Sequence, residues 1–256
     1  MRIMTFNCNG IRATARKGFF DWLATRQDVD IVCLQETKAQ IDQLTDPVFH
    51  PEEFDCHYFD AEKKGYSGTA IYCRKTPDKV TRGLNNAIAD TEGRYIQADF
   101  PGLSVASLYL PSGSSGDEKQ ARKMQFLEFY LGHLRSLRRK RREFIICADW
   151  NICHKPIDLK NWKPNQKNSG FLPEERAWLD QVYDEVGYAD AFRLVNKEAE
   201  QYSWWSNRGQ ARAKNVGWRL DYHVITPGLQ DKVKHAEIYT AENFSDHAPV
   251  IIEYDL

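Results

Sequence analysis

Short apolar runs rich in β-branched residues recur along the chain and constrain its fold more than any other feature. Several of them are apolar over almost their whole length, which predicts strands buried on both faces, because polar residues alternate where one face meets water. Runs this short fall well below the ~18 apolar residues that a membrane-spanning helix needs. Seven such runs predict strands: Ile31–Leu34, Thr69–Tyr72, Tyr95–Phe100, Leu103–Leu110, Phe144–Cys147, Tyr222–Thr226 and Pro249–Tyr254.

Helical patterns lie between some of these runs. Apolar residues recur at spacings of three and four, which is typical of a helix with one buried face. The predicted helices are Lys17–Arg26, Asp117–Arg139 and Glu174–Val186, and Pro101-Gly102 predicts a hairpin between two strands. Because strands outnumber helices, the pattern predicts sheet layers covered by helices in one domain spanning residues 1–256.

Charge and cysteine content narrow the class of protein. The formal net charge is -1, whereas a protein that coats a polyanion with its whole surface is usually basic, so any nucleic-acid face must be local. The six cysteines show no zinc-binding spacing, and several lie inside apolar runs. They predict buried free thiols in a reducing compartment, and with no signal peptide or membrane span the expected location is the cytoplasm.

Carboxylates and carboxamides stand where the apolar strands begin or end. A buried charge without a partner is costly, so these groups should converge on each other or on a cation. Oxygen ligands with a single His favour Mg²⁺ or Mn²⁺ over zinc. Each fragment alone is also compatible with a turn, a surface ion pair or a helix cap, but their joint occurrence favours a site. The fragments are Phe6-Asn7-Cys8-Asn9, Leu34-Gln35-Glu36, Ala148-Asp149-Trp150-Asn151, Asp221 and Ser245-Asp246-His247.

These fragments, taken with several others in order, resemble the exonuclease III/abasic endonuclease family within the DNase I-like metal phosphodiesterases. The resemblance covers essentially the whole chain. Its further motifs are Gly10-Ile11-Arg12, Lys38, Gly65-Tyr66-Ser67-Gly68, Leu108-Tyr109-Leu110-Pro111, His154, Asp158-Leu159-Lys160-Asn161, Asn168-Ser169-Gly170-Phe171, Gly217-Trp218-Arg219-Leu220-Asp221-Tyr222 and Ala248-Pro249.

The resemblance implies both a fold and an activity. The fold is a four-layered α/β (α+β) sandwich of two packed mixed β-sheets flanked by helices, with the active site at one rim. The activity is Mg²⁺-dependent (or Mn²⁺-dependent) hydrolysis of DNA phosphodiesters for base excision repair. The implied partner is double-stranded DNA with abasic sites or with recessed or blocked 3′ ends, and the implied state is a monomer that does not bind membranes.

The resemblance also assigns roles to individual residues. Glu36 is similar to the family's principal metal ligand, supported by Asn7 and Asp246. The implied catalytic residues are Asp149, which orients or deprotonates water or assists the leaving group, Asn151, Tyr109, and His247 held by Asp221. The predicted substrate contacts are Arg12, Lys38, Tyr66, Asn161, Asn168, Trp205, Trp218 and Arg219. One of the neighbours Trp204 and Trp205 is expected to lie in the core.

A second interpretation remains open. Several segments are also similar to the RNA-associated catabolite repression control proteins, which share the fold but carry a degenerate nuclease site. The complete set of acidic, amide and histidine side chains in this chain favours the enzyme, since a binding scaffold does not need them. The shared segments are Arg139–Glu143, Asn161-Trp162, Phe171–Trp178, Gln201–Trp205 and Gly217–Asp221.

Overall fold

Fourteen strands and seven helices make up the computed structural model, which describes residues 1–256. The strands are β1 (Arg2–Asn7), β2 (Ile31–Gln35), β3 (Asp55–Phe59), β4 (Thr69–Cys73), β5 (Lys79–Arg82), β6 (Tyr95–Phe100), β7 (Leu103–Tyr109), β8 (Glu143–Asp149), β9 (Ala189–Asp190), β10 (Trp204–Trp205), β11 (Gly217–Trp218), β12 (Asp221–Ile225), β13 (Val233–Ile238) and β14 (Val250–Tyr254). The helices are α1 (Ile11–Arg16), α2 (Phe19–Thr25), α3 (Ala87–Thr91), α4 (Asp117–Leu137), α5 (Trp162–Asn165), α6 (Pro173–Asp180) and α7 (Ala191–Val195).

All seven strands predicted from apolar runs are present, and Phe100 pairs with Leu103 in the predicted hairpin. Strands β3, β5, β9 and β13 were not predicted, because their sequences contain no apolar run. They are the four outer strands of the two large sheets, where one edge and part of a face meet water, so their sequences mix polar and apolar residues. The third predicted helix ends at Asp180 and continues as a π-helical turn, Gln181–Glu185.

Two six-stranded mixed sheets form the centre of the fold. Sheet 1 has the order β13-β14-β1-β2-β4-β3, and sheet 2 has the order β5-β6-β7-β8-β12-β9. Each sheet contains one parallel pair, β1 with β2 and β7 with β8, and its other pairs are antiparallel. The predicted two-sheet architecture is therefore confirmed.

Three large apolar clusters separate the layers. The cluster between the sheets joins residues of sheet 1, such as Ile3 and Cys33, to residues of sheet 2, such as Ile145. Met4 belongs to the cluster that packs under α2, and Leu108 to the one that packs under α4. Because successive side chains of a strand point to opposite faces, each central strand feeds two clusters, which explains its unbroken apolar sequence.

The same two-residue period places polar side chains between the sheets at one rim. Asn7 ends β1, and Tyr109 and Asp149 are opposite each other at the ends of the parallel strands β7 and β8. Asp221, the first residue of β12, is opposite Asp149 on the other side. All four follow the inward-facing parity of Ile3 and Ile145, so the two sheets present them to one another.

The cysteines and the helices of the structure can be compared with the expectations of free thiols and of no membrane-spanning helix. All six cysteines are free, and only Cys56 is not fully buried. None of the helices combines the length and the apolar character that crossing a membrane requires.

Candidate active site

A cavity of about 910 Å³ opens at this rim and receives side chains from both sheets. We call it the rim cavity. Glu36, Asp149 and His247, which the sequence predicts to converge, all line it. Its remaining polar lining from the predicted site consists of Asn7, Tyr66, Tyr109, Asn151, Asn168 and Asp246.

A buried histidine between carboxylates forms the sheet 2 side of the cavity. Nδ1 of His247 lies 2.9 Å from Oδ2 of Asp221, and Nε2 lies 3.9 Å from Oδ2 of Asp149. The hydroxyl of Ser203 donates a second hydrogen bond to Asp221, at 2.6 Å. These contacts fix the orientation of the imidazole and leave its Nε2 edge facing the cavity.

The pKa values of His247 and Asp149 both lie above their ordinary values. Burial alone would lower the pKa of His247, but the hydrogen-bonded Asp221, with Asp149 and Asp246 nearby, raises it to about 10. Burial raises the pKa of Asp149 to about 7, with a contribution from Asp221 that His247 opposes. At neutral pH the imidazole is therefore protonated, while Asp149 is close to its midpoint of titration.

The sheet 1 side of the cavity centres on Glu36. Its carboxylate accepts a hydrogen bond from the hydroxyl of Tyr109, which reaches across from sheet 2, and Nζ of Lys38 lies 3.3 Å from Oε2. The backbone here is unusual. Asn9, Glu36, Lys38 and Asn151 all have left-handed conformations, with φ of 44°, 53°, 49° and 49°. Such conformations cost energy for residues other than glycine, and they concentrate at functional sites.

Asn7 connects the two halves. Its Nδ2 donates to Oδ2 of Asp149 at 2.8 Å, and its Oδ1 accepts from the backbone N of Asn9 at 2.9 Å. Asn9 in turn donates from Nδ2 to Oδ1 of Asp246, also at 2.9 Å. Asn7 and Asn9 thus form a chain of amides that links Asp149 of sheet 2 to Asp246 in the loop before β14.

Two groups of side chains have the donors for a metal ion. Asp149, Asp221 and His247 each place one ligand atom within 4.8 Å of the others. In this group the imidazole is hydrogen-bonded to a carboxylate, and its raised pKa means that it carries a proton, which disfavours coordination through Nε2. Glu36, Asn7 and Asp246 also line the rim cavity and offer carboxylate and amide oxygens, which are hard donors that suit a hard divalent cation.

The predicted DNA contacts fall into three sets. Tyr66, Asn168 and Trp218 line the rim cavity, and Nζ of Lys38 lies 3.3 Å from Oε2 of Glu36. Arg12 and Asn161 are exposed but lie outside the cavity lining. Trp205 and Arg219 are buried.

Two predicted contacts are therefore corrected. Arg219 is only 1% exposed, and its guanidinium is paired with Asp158 and Asp190, so it stabilises the loop behind Trp218 instead of meeting DNA. Trp205 is 3% exposed and belongs to an apolar cluster below the surface. Because neighbouring residues of a strand face opposite ways, its partner Trp204 is the one that lines the cavity.

Trp204 and Arg94 are cavity residues that the sequence analysis did not assign. Nε1 of Trp204 donates to Oδ2 of Asp246 at 3.1 Å. Arg94 is 2% exposed, and its guanidinium lies 4.6 Å from the ring centroid of Tyr109 and 3.2 Å from the hydroxyl of Tyr66. The sequence does offer one signal for Arg94: a positive charge directly before the apolar strand β6, where a buried charge needs a partner.

Comparisons with known proteins agree with this geometry. The model of the Endonuclease/Exonuclease/phosphatase family matches residues 4–247. An exodeoxyribonuclease of Bacillus subtilis is 39% identical over 251 residues, covering 98% of each chain. Two solved structures cover 100% of this chain and of their own: an AP endonuclease from Archaeoglobus fulgidus, with 28% identity and a TM-score of 0.90, and a 3′ phosphatase from Neisseria bound to product DNA hairpin, with 26% identity and a TM-score of 0.90. The chain therefore belongs to the Endonuclease/Exonuclease/phosphatase family, in the branch of exodeoxyribonuclease and AP endonuclease hydrolases.

Proposed function

We propose that this enzyme uses Mg²⁺ to hydrolyse the DNA backbone at abasic sites and at 3′ ends, leaving 3′-hydroxyl and 5′-phosphate products. One observation carries the proposal more than any other. Glu36, Asp149 and His247 come from separate parts of the chain and meet in a single cavity, where they offer a cation-binding carboxylate, a proton acceptor and a protonated imidazole. Phosphodiester hydrolysis needs these three functions together.

The metal would be held by Glu36, Asn7 and Asp246. When bound there, Mg²⁺ supplies positive charge that offsets the charge developing on the phosphate and on the leaving oxygen. Lys38 supports this assignment, because its ammonium already lies 3.3 Å from the Glu36 carboxylate, where a positive charge is stabilised. Asp246 keeps a pKa below its usual value despite its burial, since His247, Asn9 and Trp204 favour the ionised form.

The proton is taken up on the other side of the cavity. Asp149 orients a water molecule and accepts its proton as the water oxygen bonds to phosphorus and the bond to the 3′ oxygen breaks; a solvent water then gives the 3′ oxygen the proton of the 3′-hydroxyl product. A carboxyl with a pKa of about 7 suits this step, because a general base works best when its pKa is close to the operating pH. Both oxygens of Asp149 are already oriented, by the amides of Asn7 and Asn151.

The phosphate is held by a donor that needs no rearrangement. His247 presents a protonated Nε2 to the cavity, and its other ring nitrogen is engaged with Asp221. Asn151 keeps Asp149 in place beside it, because its Nδ2 donates to the carbonyl of Leu110 at 2.9 Å and to Oδ2 of Asp149 at 3.3 Å. Donors held in place before the reaction stabilise developing charge without a reorganisation cost.

The cavity walls suit an extruded sugar. Trp204 and Trp218 meet edge to face, with ring centroids 6.2 Å apart, and line the cavity together with Leu172 and Leu220. This apolar wall stands beside the phosphate-binding groups, so a sugar without a base can enter while its phosphate stays at His247. The exposed cations Arg12 and Lys167 provide candidate backbone contacts without base specificity.

A gel assay tests the proposal. A duplex with one abasic analogue and a duplex with a recessed 3′ end are incubated with wild type and with Asp149→Asn, with Mg²⁺ and with chelator. We expect metal-dependent incision and nucleotide release by wild type, and a large loss in the variant. If wild type cuts neither duplex, and instead binds RNA equally well with and without Asp149→Asn, the regulatory interpretation replaces the nuclease.

A further inference from the structure

A fully buried ion pair lies directly behind the rim cavity. Lys123 of α4 and Glu175 of α6 are both 0% exposed, and Nζ of Lys123 lies 2.6 Å from Oε1 of Glu175. Neither residue lines the cavity. Burying two charges gains little stability over a well-packed apolar pair, so stability alone is a weak explanation for this arrangement.

Lys123 also donates a hydrogen bond to Asn151, a residue of the rim cavity. Its Nζ donates to the backbone carbonyl of Asn151 at 2.8 Å. Asn151 has φ of 49°, and its backbone N and side-chain Nδ2 donate to Asp149 and to the carbonyl of Leu110. The ammonium thus fixes the one polar backbone group of Asn151 that its active-site contacts leave free, and it opposes relaxation of the left-handed backbone.

Glu175 holds the neighbouring segment of the cavity wall, residues 170–172. Its Oε2 accepts from the backbone N atoms of Gly170 and Leu172, at 2.6 and 3.1 Å. Both residues, with Lys167, Asn168 and Ser169, belong to the segment that lines the rim cavity. Gly170 has φ of 95°, and a Cβ there would lie 3.1 Å from the ring of Trp218, so this segment packs tightly against the aromatic wall.

We infer that Lys123 and Glu175 are positioning residues for hydrolysis: the pair fixes Asn151 and residues 168–172 relative to each other. The inference rests on the proposed function, because it assigns the pair to the same reaction. The pair touches no reacting atom and acts through the residues that it holds. A misplacement of about 1 Å in a group that orients the reacting atoms can cost roughly 100-fold in rate, so a fixed tether to Asn151, which orients Asp149, has a measurable effect.

Substitutions can separate this role from folding. Lys123→Met and Glu175→Gln each leave one charge buried without its partner, so both single variants should unfold at lower temperature than wild type. The double variant Lys123→Met/Glu175→Gln removes both charges and should recover much of the lost stability. It still lacks the tether to Asn151, so we expect kcat to stay about 10-fold to 100-fold below wild type, with KM changed much less.

Leu134→Ala is the matched control. Leu134 is a buried residue of the same helix, about three turns beyond Lys123, and it does not line the cavity. Its truncation should lower the unfolding temperature as the single charge variants do, but kcat per folded molecule should remain that of wild type. A shared drop in kcat would mean that loss of stability alone explains the effect.

Side-chain amide NMR signals of Asn151 give a readout independent of catalysis. We expect them to shift or broaden in Lys123→Met and in the double variant, and to remain unchanged in Leu134→Ala. Unchanged Asn151 signals, or a double variant with wild-type kcat, would overturn the inference. If wild type cuts no DNA, the proposed function fails, and the NMR comparison alone decides whether the pair positions Asn151. Should Lys123→Met not fold, Glu175→Gln and the double variant carry the test.

Discussion

Sheet 1 and sheet 2 end at the same rim, but their polar groups stand in different surroundings. On sheet 1, the Glu36 side chain is 16% exposed and pairs with the half-buried Lys38. On sheet 2, the Asp149 and Asp221 side chains are 2% and 0% exposed and enclose a protonated His247. Burial raises the pKa of Asp149 to about 7, which suits proton transfer, whereas the more exposed Glu36 carboxylate beside an ammonium suits the binding of a cation.

Asn7 shows how the two environments stay connected. It belongs to sheet 1 but donates to Asp149 of sheet 2, and its other end is fixed by Asn9. In the proposed mechanism the two sheets therefore divide the work, with the metal on the side of sheet 1 and proton transfer on the side of sheet 2, and the uncharged amide of Asn7 spans the gap.

Asp149→Asn should be the most damaging change. The amide keeps the size of the side chain but cannot accept a proton from water, so kcat should fall by about 100-fold to 10000-fold. Added Mg²⁺ or Mn²⁺ should not restore it, because the metal side is intact. Steady-state cleavage of an abasic duplex measures the loss. The matched control is Asp99→Asn, a carboxylate of sheet 2 that bonds to Ser104 away from the rim cavity and should leave kcat unchanged.

Glu36→Gln should act differently, through metal affinity. Loss of a residue that merely supports a metal ligand typically costs about 10-fold to 100-fold, so loss of the ligand should raise the Mg²⁺ concentration for half-maximal activity at least as much. Saturating metal should return much of the activity. Metal titrations of cleavage measure this, with Glu253→Gln on β14 as a control away from the cavity. A variant that excess metal never rescues would count against the division between the sheets.

Asp221→Asn should shift a pH profile more than it lowers the maximum rate. Asp221 raises the pKa of His247 to about 10, and the protonated imidazole is the active form. Activity should therefore rise as Asp149 ionises near pH 7 and fall as His247 loses its proton near pH 10. Without Asp221 the alkaline fall should move to lower pH. An unmoved alkaline limb would mean that His247 is not the titrating group.

The protonation of His247 also makes the free energy of unfolding depend on pH. Its folded pKa lies above the ordinary value of 6.5, so its protonation stabilises the fold fully below pH 6.5, and this contribution is lost as pH rises toward about 10. Unfolding temperatures measured across this window should fall with rising pH, and the slope should be smaller in Asp221→Asn.

Trp204→Phe and Trp205→Phe should give the smallest effects, the first on catalysis and the second on stability. Trp204→Phe removes the donor to Asp246 and should weaken catalysis by about five-fold, as expected for a hydrogen bond of about 1 kcal/mol. Trp205→Phe removes a donor to Asn215 inside the protein, so it should lower the unfolding temperature and leave cleavage kinetics unchanged. Kinetics and thermal unfolding of both variants check this; the reverse pattern would restore Trp205 as a substrate contact.

Central strands and the polar groups at their ends were predictable from sequence, because burial on both faces leaves an unbroken apolar run and a polar residue there must have a partner. Edge strands such as β5 were not, since their half-exposed pattern resembles loops. The assignment of Trp205 in place of Trp204 failed for a geometric reason: the direction of each ring depends on the parity of a two-residue strand. The assignment of Arg219 as a substrate contact failed because its buried partners, Asp158 and Asp190, are distant in sequence.

A crystal structure with Mn²⁺ and a duplex containing an abasic analogue tests the division between the sheets most directly. We expect anomalous scattering from an ion beside Glu36, and a backbone phosphate within hydrogen-bonding distance of Nε2 of His247. An ion held between Asp149, Asp221 and His247, or a phosphate bound away from the rim cavity, would contradict this expectation.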